Sequence, residues 1–368
     1  MKKNIAIALC LVLILFANIS CGGRRVTEIS ATEKINTVLE DKKVGVLMPT
    51  KTDERWEQDA KNIQKALEQD GYRVEVCFAE NNSCIQTKQM EKMLQDGIDC
   101  LVVGQVDTKM MKEVLQKAKA QQVAVISYDR LLMDTDALSY YATFDSKTVG
   151  FSIGTYIKEK VKLDELRKQK QHRTIEFFMG TSDDNNARLI YEGVMEVLGE
   201  YLKDGTLVCN SERIQFDVNY IWHWSGTLAQ KNAFQILNQY YKEEKLDIAC
   251  CASDTIAAGV ISSLEQKGYS EEEWPLITGQ DAGVKAVKNI ISGKQAMTVY
   301  KDTRILADKC AGMVRAVLEG TKPEINCKEV YNGRVNVPSY LCTTVVVDRD
   351  NYKEILVDGG YYTESQLE

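Results

Sequence analysis

Eight polar residues share one placement in this chain: Arg55, Asp129, Arg130, Asp184, Asn186, Asp254, Asp281 and Lys301 each follow the carboxyl end of a short apolar run. In open α/β folds, ligands sit outside the carboxyl ends of the strands. Taken singly, each of these residues reads as a helix cap or a surface charge; Asp184 and Asp254 stand where a cap would. As a set they suit a polyhydroxylated ligand. Every hydroxyl both donates and accepts, so carboxylates take its proton while Arg and Lys donate to its oxygen. Such charge-assisted bonds are strong, and an Arg can fork across two adjacent oxygens. The densest stretch runs from Val123 to Ser146, where Asp129-Arg130 is followed by Tyr140, Tyr141, Phe144 and Asp145. Aromatic faces of this kind cover apolar C–H faces.

The elements that must position these residues alternate. Lys43–Thr50 (KVGVLMPT) reads as a strand buried on both faces, and Trp56, Ala60, Ile63 and Leu67 then recur at helical spacing up to Gly71. Strands are expected at 72–79, 100–103 and 123–127, with helices over 83–96 and 109–121. The pattern restarts with a helix over 148–161 and strands at 173–179 and 207–214. Later strands are expected at 247–252, 275–278 and 296–300, with helices over 187–198, 227–241 and 255–266. A last helix runs from Lys301-Asp302 to Leu318. Strand and helix alternating at this pitch predict two doubly wound parallel-sheet α/β lobes, with late strands crossing back.

The chain has 368 residues, 44% hydrophobic and 27% charged, with a net charge of -7, which leaves no basic stripe for nucleic acid. It has two histidines. His172 lies in a polar run and reads as solvated; His223, between Trp222 and Trp224, reads as a packing residue. Lys2 and Lys3 precede an apolar run from Ile5 to Ala17 and then Cys21-Gly22-Gly23, the layout of an export signal. Cys21 is the candidate lipidation site, although Asn18 stands where such sites usually carry Leu; an uncleaved anchor and simple secretion are the alternatives in that order. Nine cysteines remain after Cys10 and Cys21, an odd number that cannot all pair within one chain. Cys100, Cys250 and Cys251 read as buried, Cys77 and Cys84 flank a loop and are candidates for a bridge that spacing alone does not decide, and the absence of CxxC argues against a zinc site.

Several stretches resemble the periplasmic sugar-binding proteins of ABC importers, the D-xylose-binding type above all: ERW (Glu54–Trp56), YDRLLMDTDALSYYATFD (Tyr128–Asp145), DNNA (Asp184–Ala187), GQDA (Gly279–Ala282), MTVYK (Met297–Lys301), and the ending VPSYL with GGYYTESQL. The resemblance covers nearly everything from Lys43 onward. It implies a type I binding-protein fold whose lobes are joined by three crossover strands and close on one pyranose. It also implies sugar contacts from Arg55, Trp56, Asp129, Arg130, Asp184, Asn186, Asp281 and Lys301. Members carry Asn where this chain has Ser253, a shorter donor next to Asp254, and a second stacking aromatic is expected at Trp224. The expected layout is a signal peptide over 1–20 and a lipid-anchored tether over 21–42. The first lobe is 43–146 plus 302–338, and the second is 147–301 plus 339–368.

The resemblance implies no cofactor and no metal. Its expected partners are a monosaccharide and the permease and ATPase of an importer in the membrane. A second reading makes the closed form a signal to a membrane histidine kinase or chemoreceptor. A glycosidase built on Asp129 with Asp184 or Asp281 is disfavoured, because the neighbouring Arg130, Lys301 and Asn186 suit ground-state binding. A transcription repressor of the same fold is excluded, since an export segment occupies the place of its DNA-binding helices.

Overall fold

The computed structural model describes residues 42–52 and 54–368. The expected signal peptide, the Cys21 lipidation site and all but the last residue of the tether lie outside the described residues. The first lobe opens with β1 (Lys43–Met48), α1 (Glu54–Gln69), β2 (Arg73–Phe78), α2 (Ser83–Gln95) and β3 (Cys100–Val103). It continues through α3 (Thr108–Ala120), β4 (Ala124–Tyr128) and β5 (Tyr140–Phe144). The chain then enters the second lobe through α4 (Ser146–Val161), α5 (Leu163–Gln169), β6 (Arg173–Phe178), α6 (Asn185–Lys203) and β7 (Leu207–Val208). There follow α7 (Phe216–Asn219), α8 (Gly226–Tyr240), β8 (Ile248–Cys251), α9 (Asp254–Lys267), β9 (Leu276–Ile277), α10 (Val284–Ile291) and β10 (Met297–Tyr300). The return to the first lobe is made by α11 (Thr303–Leu318), β11 (Cys327–Tyr331) and β12 (Asn336–Cys342), and β13 (Val345–Asp348) crosses over again. A π-helical turn (Lys353–Asp358) and α12 (Glu364–Leu367) end the chain.

The first lobe holds a seven-stranded sheet in the order β11-β12-β5-β4-β3-β1-β2, parallel throughout except for the β11–β12 hairpin. Parallel strands need helices on both faces, which is why β1 and β3 are continuous apolar runs. Trp56, Ala60, Ile63 and Leu67 of α1 pack with α11 against one face, and α2 and α3 cover the other. The second lobe holds the parallel order β7-β6-β8-β9. Its far edge is the antiparallel pair β10–β13, tied on by the bridge between Gln280 and Val299.

Three strands of chain cross between the lobes: Phe144 to Ser146, Tyr300 to Thr303, and Cys342 to Val345. The third corrects the expected boundary. Cys342 still pairs with Phe144, so β12 belongs to the first sheet to its end and the crossing falls after Cys342 rather than after residue 338. The strand expected over 207–214 is also shortened to Leu207–Val208. The cause is Glu176, a carboxylate buried in β6, which takes hydrogen bonds from Ser211 N and Ser211 Oγ and so turns residues 209–211 out of the sheet. Cys77 and Cys84 are both free thiols, so the bridge between them does not form. Cys100, Cys250 and Cys251 are buried as the apolar runs imply.

The second lobe's helices approach very closely where α4 crosses α6. A Cβ on Gly150 would lie 1.9 Å from Ile190 O, and one on Gly193 would lie 2.2 Å from Lys147 O. Only glycine at both positions lets the backbones touch. The crossing locks the first turn after the crossover to the helix that carries Asn186 at its start.

Candidate functional site

All eleven expected site residues line one cleft between the lobes, with a cavity volume of about 1240 Å³. Strand ends deliver them. The first lobe supplies Arg55 and Trp56 after β1 and Asp129 and Arg130 after β4. From the second come Asp184 and Asn186 after β6, Trp224 before α8, Ser253 and Asp254 after β8, and Asp281 after β9, and Lys301 sits on the crossover after β10.

Asp129 anchors the first lobe's contribution. Its backbone is left-handed (φ 59°), and its carbonyl accepts from Tyr141 OH (2.7 Å), Thr143 Oγ1 (2.8 Å) and, across the cleft, Asn186 Nδ2 (2.9 Å). Three donors on one carbonyl hold a conformation that Asp tolerates better than most side chains. The carboxylate is thereby aimed at Arg55 Nη2, with which it pairs. Burial pushes the Asp129 pKa up, but the Arg55 and Lys301 charges outweigh it and leave this carboxyl below its ordinary value. Arg55 also reaches Asp281 Oδ1 at 3.4 Å, and Lys301 Nζ sits 2.6 Å from the same oxygen. Lys301 lies 5.6 Å from the Phe144 ring centre, where the ring face favours a cation.

Arg130 bridges the lobes as well, its Nε 3.4 Å from Asp184 Oδ2 and its Nη1 donating to Gln105 O at 3.3 Å. Asp184 caps α6 by accepting from Asn186 N (2.9 Å) and also accepts from Trp224 Nε1 (3.2 Å). Burial raises the Asp184 pKa against the pull of Arg130. The indole of Trp224 lies flat on Gly180, where an added Cβ would sit 2.1 Å from the ring. His223 and Trp224 are both left-handed (φ 54°), and this turn carries His223 to the cleft wall, not into a core. Trp56 is only 3% exposed, with the Arg55 and Arg130 guanidinium groups 5.0 and 5.2 Å from its ring centre, so it serves as the floor beneath the two arginines.

Ser253 caps α9 through Ile256 N (3.3 Å). Asp254 takes three protein donors: Gln295 Nε2 at 2.8 Å, Gly283 N at 3.0 Å and Thr298 Oγ1 at 3.1 Å. Burial and the neighbouring Asp281 push its pKa up to about 7. A carboxyl whose oxygens already accept from three donors is poorly placed to give a proton to a glycosidic oxygen. The cleft thus offers forked donors, carboxylate acceptors and two indoles. No group of potential metal ligands gathers among the described residues.

The cleft also has a wall that the strand-end pattern missed. Thr303 and Arg304 of α11 and Tyr361, Tyr362 and Gln366 of the C-terminal segment line it. Tyr361 stacks edge-on with Tyr300 and Tyr362 (4.8 Å each), and Tyr362 OH donates to Ala282 O at 2.9 Å. The matching GGYYTESQL stretch was the available signal.

A family profile described as "Periplasmic binding protein domain" matches residues 44–322. The chain belongs to the periplasmic binding protein family. The multiple sugar-binding periplasmic protein SbpA of Azospirillum brasilense is 39% identical over 340 residues, 92% of this chain and 94% of that protein. The D-xylose-binding periplasmic protein of Escherichia coli is 29% identical over 99% of both chains. Among solved structures, an ABC transporter solute-binding protein from Clostridium phytofermentans with bound β-D-glucose superposes with a TM-score of 0.85 at 43% identity, over 89% of this chain and all of that one. This periplasmic binding protein is a solute-binding receptor of the type I fold and not an enzyme. No helix among the described residues is long and apolar enough to cross a membrane.

Proposed function

We propose that this receptor captures one aldopyranose between its lobes, outside the cytoplasm, and hands it to an ABC importer. D-xylose and D-glucose are the leading candidates, in keeping with what the similar proteins bind. The observation that carries the reading is the two-sided clamp in which Arg55 meets Asp129 of its own lobe and Asp281 of the other. A neutral polyol satisfies such a set, because each hydroxyl can accept from a cation and donate to the carboxylate beside it. In this reading Arg55, Trp56, Asp129, Arg130, Asp184, Asn186, Trp224, Ser253, Asp254, Asp281 and Lys301 form the sugar site. The first lobe and the second then close around the ligand as rigid bodies about the three crossovers, which needs only contacts that the open form lacks. Lipid on Cys21 would hold the receptor near its permease.

The test is small-angle scattering of the purified protein with and without aldose. A smaller radius of gyration with sugar in wild type, lost in Arg55→Ala, is the expected result; an unchanged radius at saturating sugar contradicts the closure reading. For the anchor, Cys21→Ser should move the protein from the membrane fraction to the medium or periplasm.

A further inference from the structure

Behind the cleft stands a carboxylate that no ligand can touch. Asp59 lies one helical turn after Arg55 on α1, is fully buried, and does not line the cavity. Its Oδ2 is 3.5 Å from Arg55 Nε, while Nη2 and Nη1 of the same guanidinium face Asp129 and Asp281. Neither oxygen of Asp59 accepts a well-aligned hydrogen bond, which is rare for a wholly buried carboxylate.

We propose that Asp59 is a positioning residue, and that its charge holds the Arg55 guanidinium at the angle from which it clamps the ligand, so that ligand affinity follows the protonation of Asp59. The proposal rests on the sugar reading of the cleft. The groups facing Asp59 come from every element packed on it: Arg55 of α1, Tyr128 and Asp129 at the end of β4, Thr303 and Cys310 of α11, and Tyr361 of the C-terminal segment. Burial raises the Tyr128, Cys310 and Tyr361 pKa values, so these stay neutral, while Asp129 stays ionised. Burial also pushes Asp59 up to about 7, against the Arg55 charge and the Tyr128 and Thr303 hydroxyls. Asp59 is therefore the member of this set that changes charge near neutrality. Above that point it grips Arg55 Nε; below it the grip is released and the clamp loosens.

The experiment is calorimetric titration of the purified full chain, wild type and Asp59→Asn, with the aldose that wild type binds most tightly, from about pH 5.5 to about pH 8.5. The ratio of wild-type to variant affinity should be near one at the acid end and rise about tenfold at the alkaline end. Taking the ratio cancels other groups that titrate in the same window, Asp254 among them. A ratio that stays constant with pH overturns the proposal. Should the variant not fold, the carboxyl-carbon resonance of Asp59 in labelled wild type decides: by reciprocity, sugar must lower its pKa, and an unmoved value overturns the proposal. Wild type that binds no aldose at any pH defeats the sugar reading itself, a separate outcome.

Discussion

Asp129→Asn isolates the charge at the centre of the clamp. Asn fills the same volume and tolerates the left-handed backbone at this position (φ 59°), and the three donors on the residue 129 carbonyl come from Tyr141, Thr143 and Asn186 and are untouched. What is lost is the anion that faces Arg55 and would accept a sugar hydroxyl. A hydrogen bond to a charged group contributes about 1.5–3 kcal/mol, so the sugar should bind about 10- to 150-fold more weakly. Because Asp129 titrates below the ordinary carboxylate value, that loss should be constant from about pH 5 to about pH 8, unlike the loss at Asp59. Titration calorimetry measures the affinity, and thermal unfolding checks the fold. A folded variant within about twofold of wild type would place the sugar elsewhere and refute the clamp. A variant that no longer folds would refute the claim that the carbonyl contacts hold this turn.

Gly180→Ala should push the Trp224 indole off its bed and strip its hydrogen bond from Asp184, weakening sugar binding about tenfold and shifting tryptophan fluorescence. Gly193→Ala forces the α4 and α6 backbones apart and should cost about 3 kcal/mol or more, read as a clear fall in Tm or loss of soluble protein. For Asp59 the folded pKa is raised, from 3.8 to about 7, so its stabilising contribution is complete at low pH and is lost as pH rises through about 7. The stability of Asp59→Asn relative to wild type should therefore rise by about 2–3 kcal/mol between about pH 5 and about pH 8, in the absence of sugar. Equal stability at both pH values would mean that Asp59 is not held in a charge-averse site.

The strands of both sheets were legible because parallel strands are buried on both faces, so KVGVLM, CLVV and IACC read as unbroken apolar runs. The hairpin β11–β12 was not, since β11 is a half-exposed edge strand with a register break and β12 carries Pro338. The shortened β7 depends on a buried Glu176 in another strand, a tertiary cause with no local signature. The same division runs through the site. Its strand-end residues announce themselves by position, and all eleven meet in the cleft. Asp59 does not, because an acid at mid-helix, four residues after an Arg, looks like a surface pair until α11 and β4 bury it. Tyr361 and Tyr362 reach the cleft only because the third crossover brings the chain's end back across it. His223, flanked by two tryptophans, has the sequence signature of a packing residue, yet a left-handed turn at 223–224 carries it to the cleft.

Isothermal titration of the purified wild-type protein with D-xylose, D-glucose, D-galactose and L-arabinose tests the central claim most directly. The account predicts one-to-one binding of at least one of these aldoses with a Kd on the order of micromolar or tighter. Folded protein that gives no binding heat with any of them, at more than one temperature, would contradict it.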